Sequence, residues 1–107
     1  MKISGFNWDE YNRLKCQKHG LSIDQIEGFL LSSPLISKDD EHSHDEDRFV
    51  AFGTFKERYL VAIFCLRVFE GQFHIRVISA RYARHKEIEA FHEKELPRKI
   101  RKTNESK

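Results

Sequence analysis

The sequence predicts an α+β domain with two N-terminal helices, an antiparallel sheet of three to four strands and a C-terminal helix. Three observations lead there. Two capped helical patterns lie between Asp9 and Ser33. Three strand-like runs between Arg48 and Arg81 are separated by two short turn signals. A final helical pattern opens near Ala83 and is stopped by Pro97.

Asp9 is placed to cap a helix from about Glu10 to Lys18, and Gly20 to terminate it. Ser22 opens a second helix through a capping box with Gln25, and Leu21 and Ile26 occupy the hydrophobic-staple positions. Ile23, Ile26, Phe29 and Leu30 form its apolar stripe, which ends at Ser32-Ser33-Pro34. Leu35-Ile36-Ser37 reads as a short edge strand. The acidic stretch from Asp39 to Asp47 reads as a loop, because little in it repays the entropy of packing. Strands are expected at about Arg48–Phe55, Tyr59–Val68 and Phe73–Arg81, joined as hairpins at Lys56-Glu57-Arg58 and Glu70-Gly71.

Hairpin geometry fixes an expected register. With Glu70 and Gly71 as the turn, the pairs Val68–Phe73, Leu66–Ile75, Phe64–Val77 and Ala62–Ser79 share one largely apolar face, the core face. Arg67–His74, Cys65–Arg76, Ile63–Ile78 and Val61–Ala80 share the other, which bunches Arg67, His74 and Arg76 near the turn. Arg81 is expected with the core set, at the strand exit, where its long side chain reaches the rim.

With 107 residues and nine phenylalanines, the chain can build one modest core. Residues 1–97 are expected to be a single domain and residues 98–107 a flexible basic tail. The longest apolar run, Leu60 to Leu66, is too short to span a bilayer, and the first residues lack a signal-peptide core, so a cytoplasmic location is expected. Cys16 and Cys65 read as free, buried thiols. The formal net charge of +2 conceals segregation: Lys38 to Asp47 carries six acids and one lysine, whereas Arg67 to Lys86 carries five basic residues and one acid. A local basic patch is what phosphate-backbone binding requires, although composition alone favours a solvated surface whose charges happen to cluster.

Three blocks carry a resemblance. The first is Trp8-Asp9-Glu10 with Lys15-Cys16-Gln17-Lys18-His19-Gly20-Leu21-Ser22. The second is His42-Ser43, Glu46, Arg48-Phe49 and Gly53. The third is Phe64, Arg67, Ile75 through Tyr82 and Lys86-Glu87. In this order they resemble the BrnT family, over about Trp8 to Phe91; Cys65 stands where many members have Thr. The resemblance implies a RelE-like fold and a growth-arresting ribonuclease toxin of a bacterial type II toxin–antitoxin module. It also implies a ribbon-helix-helix antitoxin of the BrnA kind as partner in a hetero-oligomer.

Metal-free RNA cleavage requires a deprotonated 2′-hydroxyl, a stabilised phosphorane and a protonated leaving oxygen. Arginine suits the second task, since its fork holds two phosphate oxygens and stays charged. Arg67, Arg76 and Arg81 are the clamp candidates, each readable also as a surface salt bridge. The acid and base come from among His42, His74, Tyr82, Lys86 and a carboxylate such as Glu46; His42, with acidic neighbours that favour its protonated form, is the choice. Arg48, His74, Tyr82, Arg84 and Lys86 complete the expected RNA contacts. No cofactor or metal is expected. His42-Ser43-His44 has the spacing of a metal site but no evident third fixed ligand. A non-catalytic nucleic-acid- or partner-binding module, including an inactive relative, is the alternative.

Overall fold

The computed structural model describes residues 3–42 and 46–95; the tail expected at 98–107 lies outside them, as do Ser43 and His44. The chain forms β1 (Ile3–Phe6), α1 (Glu10–Cys16), α2 (Ile23–Leu31), β2 (Leu35–Lys38), a short 3-10 turn (Asp40–His42), β3 (Arg48–Phe55), β4 (Arg58–Phe69), β5 (Gln72–Tyr82) and α3 (His85–Glu95). The α+β class holds. Two details of the expectation do not: the sheet has five strands, in the order β1-β5-β4-β3-β2, and it is mixed, because β1 lies parallel to β5.

Local chemistry explains the helices. Asp9 accepts from the backbone of Asn12 while the Asn12 side chain accepts from the backbone of Asp9, and Ser22 and Gln25 make the same reciprocal pair on α2. The helix before Gly20 stops at Cys16, two residues short of expectation, with Gln17 as its cap; Gly20, at φ +89°, redirects the chain into α2. Leu21, Ile26, Phe29 and Leu30 are buried against the sheet, with Ile23 half-buried at the stripe's edge. Gly28 faces Phe55 so closely that an added Cβ would lie 2.6 Å from its ring. Gly28→Ala gains up to about 1 kcal/mol of helix propensity, but overpacking costs about 1–3 kcal/mol. A lowered melting temperature is therefore expected by calorimetry; a rise would show that the Phe55 ring yields freely.

Both hairpins close through two residues with positive φ, Lys56-Glu57 and Glu70-Gly71, the turn form that matches strand twist. The expected β4–β5 register is present from Phe69↔Gln72 to Phe64↔Val77. A bulge at Ile78 then shifts it, so that Ala62 opposes Ala80 and Val61 opposes Arg81. This exchanges the two faces beyond the bulge. Ala80, not Ser79, joins the core with Leu60, Ala62, Phe64, Ile75 and Val77. Arg81 consequently leaves the core face expected for it.

The helix-covered face holds the core. The opposite face is divided in two. Its far half lies under α3, where Phe91 packs on Phe52 (4.8 Å between ring centroids) and the Tyr59 hydroxyl meets His92 Nε2 at 2.9 Å. Among the described residues, α3 does not cover its near half, towards the β4–β5 turn.

Candidate functional site

The near half-face is built from cross-strand neighbours. Arg48 of β3 opposes Cys65 of β4, and Cys65 opposes Arg76 of β5; in the next row Arg67 opposes His74. Directly opposed side chains start only about 5 Å apart, so three guanidiniums and an imidazole share one patch. A shallow cavity of about 180 Å³ opens there, lined by Glu46, Arg48, Cys65, Arg67 and Arg76, with Lys15 of α1 at its rim. Arg67 and Arg76 are each held by a carboxylate. Arg67 pairs with Glu46, at the end of the acidic loop. Arg76 donates to Asp9 Oδ2 at 2.8 Å and to Asn7 Oδ1 at 3.1 Å, tying β5 to the segment between β1 and α1.

These pairs set the protonation states. The Arg67 hydrogen bond, opposed by partial desolvation, holds the Glu46 carboxyl below its usual range. Asp9 is also lowered, first by the backbone N–H of Asn12 and then by Arg76. Burial raises the Cys65 thiol despite the nearby Arg67, so it stays protonated and is a packing group, not a nucleophile. Cys16 is raised by burial likewise, and both cysteines are free thiols. The Val77 carbonyl, on the stretch of β5 that β1 does not reach, accepts from Asn12 Nδ2 at 2.9 Å. Asn12 is the buried polar residue that docks α1 beside the cationic row.

Arg81 is not brought to this patch. It lies five residues beyond Arg76, on the order of 15 Å along the strand. Both its terminal nitrogens are bound by Glu87 of α3 at 2.8 Å. Glu87 also accepts from the backbone N–H of Arg84 at 2.7 Å, and its pKa falls to about 2, chiefly through Arg81. The pair fastens α3 over the far half-face. Because the folded-state pKa lies below the ordinary 4.5, this stabilisation is complete above that value and is lost as pH falls towards about 2. Glu87→Gln is expected to lower stability near neutral pH by about 1–2 kcal/mol, allowing for the partial exposure of the pair. The same variant should flatten the acid limb of denaturant-derived stability. An unchanged acid limb would mean that other carboxylates govern it.

The remaining sequence candidates are distributed. Tyr82 turns to the core side, with the Arg58 guanidinium 3.8 Å above its ring. Arg84 and Lys86 are exposed where α3 begins. His42 closes the 3-10 turn of the acidic loop, whose ends are drawn together by a 2.8 Å bond from Asp39 N–H to the Arg48 carbonyl. Sequence reasoning missed Asp9 and Asn7 as partners of Arg76. Asp9 announces itself only as a helix cap, and its reach to β5 follows from the parallel strand β1. Phe69, exposed at the edge of the patch, was also missed; its place two residues beyond Arg67 on the same strand face was the available signal.

Three guanidiniums and an imidazole thus share one half-face of a small mixed sheet, and among the described residues no helix is long and apolar enough to cross a membrane. Residues 8–87 match the family model described as ribonuclease toxin, BrnT, of type II toxin-antitoxin system, and the chain belongs to that family. A search of curated proteins finds no match.

Proposed function

We propose that this protein is a growth-arresting toxin that cleaves RNA without a metal ion and is neutralised by a BrnA-like ribbon-helix-helix antitoxin. The observation that carries the reading is the cluster of Arg48, Arg67 and Arg76 on neighbouring strands of one sheet face. Family membership supports the toxin class and implies an antitoxin. A RelE-like architecture is part of the same reading, although fold alone carries no activity.

In the proposed reaction the scissile phosphate displaces Glu46 from Arg67 and takes its place between Arg67 and Arg76. A general base takes the proton of the 2′-hydroxyl, whose oxygen attacks phosphorus; the guanidiniums stabilise the added charge, the P–O5′ bond breaks, and a general acid protonates the leaving 5′-oxygen. His42 is assigned as one of these two groups, the acid or the base. Its loop ends at Glu46, four residues on, so their Cα atoms lie within about 14 Å of each other. Arg81 acts at a distance, by fixing α3.

Purified protein incubated with single-stranded RNA should generate fragments ending in 2′,3′-cyclic phosphate, and excess chelator should leave the rate unchanged. Intact RNA, or cleavage abolished by chelator, would overturn the mechanism. The carboxylates already seated on Arg67 and Arg76 favour a second reading, a non-catalytic binding module, which predicts RNA retention without fragments.

A further inference from the structure

We infer that Phe69 is the stacking platform for a nucleobase of single-stranded RNA whose phosphate lies on the neighbouring guanidiniums. The inference rests on the proposed RNA reading and extends it to how the strand is held. Phe69 is the last residue of β4 and remains 46% exposed, although burying an aromatic ring is ordinarily favourable. It is also well fixed. The two-residue Glu70-Gly71 turn follows it, with both φ angles positive, and its ring meets His74 edge to face at 5.2 Å between centroids. His74 opposes Arg67, so ring, imidazole and guanidinium share one strand face. Phe69 and Arg67 are two residues apart, about 7 Å along the strand, a span that one nucleotide bridges from phosphate to base.

Charge decides the occupant. Val68, 58% exposed, points to the opposite face, so the hairpin tip presents two separated apolar side chains rather than one broad patch for a protein. Of these two, Phe69 is the one on the face of Arg67, where Tyr11 of α1, 74% exposed, adds a second aromatic ring to the cavity lining. A partner there must carry negative charge and a flat apolar surface together, the combination a nucleotide supplies. Stacking tolerates any base, so the subsite adds affinity without strict sequence selection.

The probe is a 2′-O-methyl oligoribonucleotide, which cannot be cleaved because the attacking hydroxyl is blocked, with 2-aminopurine placed at each position in turn. With the wild-type protein, fluorescence should be quenched at one position. Phe69→Ala should abolish the quenching and weaken binding about ten- to a hundredfold, while Phe69→Trp restores both. An oligonucleotide abasic at that position should bind wild type and Phe69→Ala equally. If Phe69→Ala binds the intact probe like wild type while Arg67→Ala does not, the stacking inference falls and the RNA reading stands. If wild type binds no probe, both fall. An equal loss of abasic binding would show that Phe69 maintains the fold, and would also overturn the inference.

Discussion

Arg67→Ala is expected to lower RNA cleavage by about 10²–10³, the effect of removing one donor from a developing phosphorane charge, and to abolish growth arrest on expression. Its melting temperature should change little. The pair with Glu46 is partly exposed, 36% and 39% for the two side chains, and such pairs contribute at most about 1 kcal/mol. Arg67 therefore separates chemistry from folding. Arg76 does not, because it ties β5 to Asn7 and Asp9, and its loss loosens the junction of β1 and α1 as well as the site. Arg67→Lys should recover little activity, since an ammonium supplies charge but not the planar fork that holds two phosphate oxygens. An Arg67→Ala protein that is folded, fully active on RNA and still toxic would remove Arg67 from the site.

The same two arginines show what the sequence made legible. Their proximity follows from a two-residue turn at Glu70-Gly71 and strict strand alternation, both readable one residue at a time, and the observed register agrees from Phe69 to Phe64. The capping box at Ser22 and the staple of Leu21 with Ile26 are local for the same reason. Arg81 was not legible. Ile75 through Ser79 reads as an unbroken strand, and nothing in it marks Ile78 as the extra residue whose insertion exchanges the faces beyond it. The bulge moves Arg81 off the core face, and Glu87, six residues further on, binds it there. The strand Ile3–Phe6 was missed because four residues carry little period, and its parallel partner, beginning at Phe73, lies some seventy residues away. With β1 unseen, so was the junction that brings Asn7 and Asp9 to Arg76. The strands and helices were thus readable where their signals are local. The site was readable only as far as hairpin geometry extends.

His42→Ala is expected to slow cleavage by about 10²–10⁴, the usual contribution of a positioned acid or base, and to flatten the pH profile of the rate on the side it governs. The comparison that gives this force is His74→Ala. His74 opposes Arg67 and contacts Phe69, so its loss should weaken substrate binding and raise KM, with kcat at saturating RNA changing less. His42 ends the 3-10 turn that follows Asp39, whose N–H is bonded to the Arg48 carbonyl, a tether that survives when a phosphate displaces Glu46. Rate–pH profiles of both variants at saturating substrate separate the two roles. If His74→Ala lost the pH dependence and His42→Ala kept it, proton transfer would belong to the sheet and the loop would serve only to carry Glu46.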